Sequence, residues 1–290
     1  LGSGAYLSRP EAYRQDGRWF RKLAVTLSFM LFAILAPVVH AATLSVGTSD
    51  GYESIADAID ASENGDRIEV SAGTYNESLN LNGKAITLIG VDGPAETFII
   101  GTGTPTIVVD SGEGRESIIS GFTVRSGGLN CIYIETSSPH LENLVVEGCG
   151  SSTGVFGGGI TISAASPTIH SSSFRNNRAE MGAAVHIGSD SIVTFEDCSF
   201  GGNQAQTGGA VFANNAEVVI INSDFSSGIA ESGGGIAATD TSVTIRNSRF
   251  NSNEARYGTA GGILSIQSNL IIDDTDFENN QASYDGGAIL

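Results

Sequence analysis

Charged side chains recur at equivalent places, about 25 residues apart, near the C-terminal end of the chain. Asp224, Arg249 and Asp276 each directly precede a phenylalanine, so a fold that stacks these segments would place Arg249 between two carboxylates. Carboxylates act as general acids and bases, and carboxylate oxygens bind Ca²⁺. We therefore identify Asp224, Arg249 and Asp276 as candidate catalytic residues, and Asp273 and Asp276 as candidate Ca²⁺ ligands. No other cofactor is predicted.

A second interpretation, which the pattern favours, assigns no chemistry to these residues. Opposite charges on neighbouring strands avoid like-charge stacking and form a solvated surface ladder. The chain also lacks long insertions that could build a cleft, since its largest irregular stretch, residues 148–159, is mainly Gly and Ser. His140, His170 and His186 fall at different repeat positions, so we interpret them as surface residues and not as metal ligands.

Five phenylalanines define the repeat that positions these side chains. Their separations are 26, 25, 25 and 27 residues, with Asn three residues later in four copies and Ala five residues later in all five. The repeat positions are Phe174, Phe200, Phe225, Phe250 and Phe277, with Asn177, Asn203, Asn253 and Asn280. A period of 20–50 residues indicates a solenoid or a propeller, and a propeller blade needs roughly 40 residues or more.

Alternation within each copy identifies the type of solenoid. Apolar residues such as Val218 and Ile220 alternate with polar ones, which predicts strands with one buried face. Asn or Asp stands three residues before most of the phenylalanines, and these residue types tolerate the left-handed backbone of a sharp turn. The sequence therefore predicts an all-β, right-handed parallel β-helix of about nine rungs, each rung being one turn of the solenoid, stacked ~4.8 Å apart.

The predicted domains follow from the composition. Residues 1–41, with a basic flank before an apolar run over 23–39, predict a signal peptide with a long n-region; the alternative is an uncleaved membrane anchor. Residues 42–65 form an N-terminal cap, in which an amphipathic helix over 54–61 covers the end of the core. Residues 66–290 form the β-helix, which we expect to be truncated at its C-terminus.

The charge distribution limits the partners. The net charge is −18, of which residues 1–41 contribute +3 and the remainder −21. Such a surface repels nucleic acid because it offers no basic stripe to replace counterions. The expected partners are neutral, cationic or bridged by a divalent cation.

Three cysteines fit an exported protein that does not depend on disulfides. At most one bridge can form, and whether Cys131 and Cys149 are bridged stays open. Cys198 occupies a repeat position filled elsewhere by Ser or Thr, so we expect a small buried side chain there.

The paired motifs also carry a family resemblance. Phe-x-x-Asn, combined with segments such as Gly208-Gly-Ala-Val211, resembles the repeats of chlamydial-type polymorphic outer membrane proteins, although Phe225-Ser-Ser-Gly228 departs from the motif. Residues 53–90, which include Gly73-Thr-Tyr75, look like the opening of the wider pectin-lyase-like β-helix superfamily. Together the resemblance covers about residues 50–290.

The resemblance carries two functional expectations. The first is a non-catalytic passenger at the cell surface, outer membrane or extracellular space, which acts in adhesion or in binding a glycan or a host or matrix surface. Attachment to the outer membrane would use a C-terminal domain beyond Leu290. The alternative is a secreted polysaccharide lyase or hydrolase, since members of the superfamily combine Ca²⁺-binding carboxylates with an arginine base.

Overall fold

The computed structural model describes residue 1 and residues 41–103, 105–126, 129–151 and 153–290. Apart from its two end residues, the predicted signal peptide lies outside this part of the chain. No helix among the described residues is long and apolar enough to cross a membrane.

The described part of the chain forms thirty short strands. In chain order they are β1 (Thr43–Val46), β2 (Arg67–Val70), β3 (Gly73–Tyr75), β4 (Leu79–Asn80), β5 (Thr87–Gly90), β6 (Thr97–Gly101), β7 (Ile107–Val109), β8 (Ile118–Ser120), β9 (Thr123–Ser126), β10 (Ile132–Glu135), β11 (His140–Glu142), β12 (Val145–Glu147), β13 (Ile160–Ser163), β14 (Thr168–His170), β15 (Ser173–Arg175), β16 (Val185–Ile187), β17 (Ile192–Glu196), β18 (Ser199–Gly201), β19 (Val211–Asn214), β20 (Glu217–Ile221), β21 (Asp224–Ser226), β22 (Ile229–Ala230), β23 (Ile236–Thr239), β24 (Ser242–Arg246), β25 (Arg249–Asn251), β26 (Glu254–Ala255), β27 (Ile263–Ile266), β28 (Asn269–Asp273), β29 (Asp276–Glu278) and β30 (Gln281–Ala282).

These strands stack into three long parallel sheets and one short one. Sheet A has the order β1-β2-β5-β8-β11-β14-β17-β20-β24-β28, and sheet B has the order β3-β6-β9-β12-β15-β18-β21-β25-β29. Sheet C runs β4-β7-β10-β13-β16-β19-β23-β27, and the short sheet D runs β22-β26-β30. The chain visits the sheets in turn and winds into a right-handed parallel β-helix of about nine rungs, which confirms the predicted fold.

The repeated phenylalanines form one continuous column inside the solenoid. Phe200 pairs with Phe225, and Phe225 pairs with Phe250, in adjacent strands of sheet B. The five rings stack face to face with centroid separations between 4.3 and 5.0 Å. Val146 and Val124 continue the column toward the N-terminus. Because like residues meet in register, each rung repeats the packing of the rung before it.

A buried ladder of asparagines follows the phenylalanine column. The Oδ1 atom of Asn203 accepts the N–H of Asn177 at 3.1 Å, and its Nδ2 donates to the Phe174 carbonyl at 2.9 Å. Gly228 interrupts the ladder but still donates its N–H to Oδ1 of Asn253 at 2.9 Å. The ladder therefore satisfies backbone groups that the turn would otherwise leave buried without a partner.

The N-terminal end of the core is closed by helix α1 (Ile55–Ala61), which confirms the predicted helix. The Ser54 hydroxyl caps it by accepting the N–H of Asp57 at 3.0 Å, and the Glu77 carboxylate accepts the first two helical N–H groups. Ile55 and Ile59 are buried against the core. Strand β1 precedes the helix and extends sheet A, which the sequence pattern did not predict.

Candidate functional site

Two-residue turns between sheets A and B position the predicted site. Asn222, Asn247 and Asp274 have φ values of 50°, 49° and 44°, which confirms the predicted left-handed turns. The next side chain in each rung is small; for example, the Ser223 hydroxyl donates to the Ile221 carbonyl at 2.8 Å and fixes the turn. The first residue of the sheet B strand that follows each of these turns, Asp224, Arg249 or Asp276, then faces outward beside the turn.

These turns line an open groove of about 500 Å³. Its lining includes Asp224, Arg249 and Asp276, together with Asp197 and Asp274. Asp224 pairs with Arg249, and Arg249 pairs with Asp276, in adjacent strands. The structure thus brings together the three predicted catalytic residues in the predicted register, and their catalytic role stays a prediction.

The partner of Arg249 is a carboxylate that the sequence analysis missed. The Nη2 atom of Arg249 lies 2.6 Å from Oε2 of Glu278. This hydrogen bond, with the charges of Glu278, Asp224 and Asp276, raises the pKa of Arg249 above its ordinary value. Glu278 lies two residues after Asp276 in β29, so both face outward, and this spacing was the available signal.

The candidate Ca²⁺ ligands lie on opposite sides of a turn. Asp273 ends β28 in sheet A and pairs with Arg246, whereas Asp276 begins β29 in sheet B and lines the groove. No group of three or more His, Cys, Asp or Glu side chains in the described part of the chain is arranged to hold a metal ion. The Ca²⁺ hypothesis therefore stays a prediction.

A second charged cluster on sheet B was not predicted. The Glu147 carboxylate accepts hydrogen bonds from both Arg125 and Arg175, and the Arg125 guanidinium lies 5.3 Å from the centre of the Phe98 ring. Burial raises the pKa of Glu147, since its side chain is only 14% exposed, but the two arginines outweigh burial and lower this pKa overall. Glu147 lies 22 residues after Arg125 and 28 residues before Arg175. Neither separation equals the usual repeat length, so the repeat pattern did not reveal this cluster.

Two histidines meet a common carboxylate despite their different repeat positions. His140 Nε2 lies 3.8 Å from one Glu142 oxygen, and His170 Nδ1 lies 3.7 Å from the other. His170 Nε2 also lies 3.1 Å from Asp197. Both histidines are partly exposed, as expected. Residues two apart in a strand share a face. Histidines at different repeat positions can therefore still reach the same carboxylate.

His186 is also partly exposed at an outward position of β16, but aromatic rings cover much of it. Its ring lies between Phe156 and Phe212, with both centroid separations at 5.4 Å. Burial lowers the pKa of His186, and its buried Nδ1 atom has no hydrogen-bond partner among the described residues. The stacked aromatic neighbours, which come from the adjacent rungs of sheet C and from an irregular stretch, were not evident in the sequence.

The cysteines resolve into one pair and one free thiol. Cys131 and Cys149 form a disulfide, which the sequence left open. Cys198 is free and buried, as predicted, and burial raises the pKa of its thiol to about 11. A buried thiol with a raised pKa is a packing residue and not a nucleophile at neutral pH.

Comparisons with known proteins agree on the fold. A family model described as right handed beta helix region matches residues 183–288. The structure is similar to rice weevil pectin methyl esterase, with a TM-score of 0.50, 12% identity, and 84% of this chain and 89% of that chain covered. It is also similar to the pectate lyase Pel9A, with a TM-score of 0.51, 13% identity, and 87% of this chain and 81% of that chain covered. The sequence has no match among curated proteins. These likenesses concern the pectin-lyase-like β-helix fold, and the narrower resemblance to polymorphic outer membrane protein repeats stays a prediction.

Proposed function

We propose that this protein is exported and acts at the cell surface or in the extracellular space, where its β-helix binds a glycan or a host or matrix surface without catalysis. One observation supports the absence of catalysis in the predicted groove. The Arg249 guanidinium is bound to Glu278, which raises its pKa. An arginine that acts as a base must release a proton, and this ion pair opposes that release.

The other outward charges support the same proposal. Glu147 is held by two arginines, so its carboxylate is ionised, fully engaged and unsuited to accept a proton. Side chains fixed in this way form a preorganised surface, which lowers the entropy lost on binding. The net charge of −21 outside residues 1–41 disfavours polyanionic partners and favours neutral or cationic ones.

A polysaccharide lyase or hydrolase is the second candidate function. The fold shared with a pectin methyl esterase and a pectate lyase favours it, and Asp224, Arg249 and Asp276 would supply the reacting groups. If this alternative is correct, Asp224→Asn abolishes turnover of an acidic polysaccharide in the presence of Ca²⁺.

One set of measurements separates the two functions. The full chain, Asp224→Asn and the control Ser199→Ala, which changes the same position one rung earlier, are titrated against neutral and acidic polysaccharides by calorimetry. Each is also assayed for cleavage and de-esterification of pectin with and without Ca²⁺. We expect glycan binding by all three proteins and no turnover. Turnover that Asp224→Asn abolishes and Ser199→Ala preserves would establish the enzyme, and binding to no glycan would refute the glycan proposal.

Surface location requires its own test. We expect protease added to intact producing cells to remove the β-helix, or the growth medium to contain it. Retention of the whole protein inside protease-treated cells would contradict export.

A further inference from the structure

A second groove, distinct from the turn groove, runs over sheet D and its extension into earlier rungs. Its volume is about 360 Å³, within the roughly 300–1,000 Å³ of ligand pockets. One side consists of Arg178, Gln204 and Ile229, and Tyr257 stands at one end. This surface takes no part in the predicted carboxylate–arginine site.

The alanine column explains the shape of the groove. Ala179 and Ala230 are 1% and 2% exposed, so they point into the solenoid. Residues on either side of an inward residue point outward, which places one row before the alanines and a second row after them. Arg178, Gln204 and Ile229 pair in successive rungs, so the groove crosses the strands along the solenoid axis. The three rung spacings between Arg178 and Arg256 make it about 14 Å long, which suits an extended ligand.

The side chains along the groove have free hydrogen-bonding capacity. The side chains of Arg178, Gln204, Gln206 and Glu231 line it and have no hydrogen-bond or ion-pair partner among the described residues. Guanidinium, carboxamide and carboxylate groups together supply both donors and acceptors. Sugar hydroxyls need both, since each hydroxyl donates one hydrogen bond and accepts others.

An exposed aromatic ring, that of Tyr257, also lines the groove. Tyr257 is 75% exposed, although large apolar side chains are normally buried. An exposed tyrosine ring offers an apolar face with a polar tip, which can cover the C–H face of a sugar ring. The combination of planar polar groups and a free ring therefore fits a carbohydrate better than a peptide strand or a nucleotide.

The charges in and beside the groove nearly balance. Arg178 and Arg256 are offset by Glu231 and by Glu254, which lies 3.0 Å from Arg256, and Glu180, next to Ala179, leaves one negative charge in excess. Such a site within a strongly acidic protein gives a polyanion no electrostatic attraction and imposes long-range repulsion on it. A neutral ligand avoids this repulsion.

We propose that this groove binds a neutral, linear glycan laid along the solenoid axis. The rows before and after the alanine column bond its hydroxyls, and Tyr257 covers one sugar ring. This inference rests on the proposed glycan-binding function and adds its location and the ligand class.

The test is a calorimetric titration of the full chain with cellohexaose, xylohexaose and mannohexaose, and with a hexamer of galacturonate as the charged comparison. The variants are Tyr257→Ala and Arg178→Ala. The matched control is Tyr284→Ala, because Tyr284 is 72% exposed and holds the equivalent position one rung later, outside the groove lining. Circular dichroism and thermal melting verify that each variant is folded.

We expect the wild type to bind at least one neutral hexamer, with Kd raised about 10-fold by Tyr257→Ala, the change that corresponds to about 1.4 kcal/mol. Arg178→Ala should also weaken binding, and Tyr284→Ala should leave Kd unchanged. Neutral-hexamer binding that both groove variants retain would overturn the location and leave the proposed function intact. Binding of the galacturonate hexamer alone would overturn the ligand class. Binding of no hexamer would overturn the inference. The titrations with neutral and acidic polysaccharides described above would then show separately whether the proposed glycan-binding function holds.

Discussion

The phenylalanine column should stabilise the solenoid most strongly at its centre. Phe225 is fully buried and its ring stacks on Phe200 at 4.3 Å and on Phe250 at 4.6 Å. Truncating a buried Phe to Ala costs roughly 3–5 kcal/mol, and each stacked pair adds ~0.5–1.5 kcal/mol beyond area burial. We therefore expect Phe225→Ala to lower the free energy of unfolding by about 5 kcal/mol. Phe277 is partly exposed and stacks on Phe250 at 4.9 Å, so Phe277→Ala should cost only about 2 kcal/mol.

Urea denaturation followed by circular dichroism measures this difference, with reversibility established for each variant. Thr244→Ala, at a partly exposed position of β24, is the control and should change stability by less than about 0.5 kcal/mol. A cost for Phe277→Ala equal to or larger than that for Phe225→Ala would refute the reasoning. Stability would then not depend on stacking from both sides.

Three further predictions concern single side chains. Gly228→Asn restores the repeat motif, but its Cβ atom would lie 2.3 Å from the Gly234 carbonyl oxygen. We therefore expect this substitution to lower the free energy of unfolding by about 1–3 kcal/mol, as measured by thermal or urea unfolding. An increase in stability would contradict the clash. Glu147→Gln should destabilise the protein at pH 7, and the difference from the wild type should shrink as pH falls below 4.5. The reason is that Glu147, whose pKa is lowered in the fold, stabilises the folded state only while its carboxylate is ionised. Urea midpoints that differ by the same amount at pH 7 and below pH 4.5 would contradict this. His186→Phe should stabilise the protein increasingly as pH falls below 6.5, because burial lowers the pKa of His186 and folding then opposes its protonation; parallel stability–pH curves would show that protonation of His186 does not matter.

The architecture was predictable from the sequence because solenoid packing repeats. Each rung contacts its neighbours, so the same residue type recurs wherever the environment recurs. The recurrence of Phe at the position of Phe225 therefore predicted a buried column of phenylalanines. Asn222 predicted a left-handed turn, which the structure confirms with a φ of 50°. The same periodicity correctly aligned Asp224, Arg249 and Asp276.

The contacts between surface side chains were less predictable, because a long side chain can bind a residue other than its direct neighbour in the strand register. Arg249 binds Glu278 and not the aspartates directly beside it in register. Where the rung length varies, as between Arg125, Glu147 and Arg175, a fixed period does not align the partners at all.

The recurring residue types sufficed to specify the parallel β-helix, the direction of its buried columns and the position of its turns, because all three depend on local alternation and on contacts between neighbouring rungs. The partners of the outward side chains depend instead on rotamers and on the lateral approach of strands, neither of which a repeat pattern encodes. The Cys131–Cys149 disulfide and the stacking of His186 between Phe156 and Phe212 therefore required the folded chain to bring distant residues together.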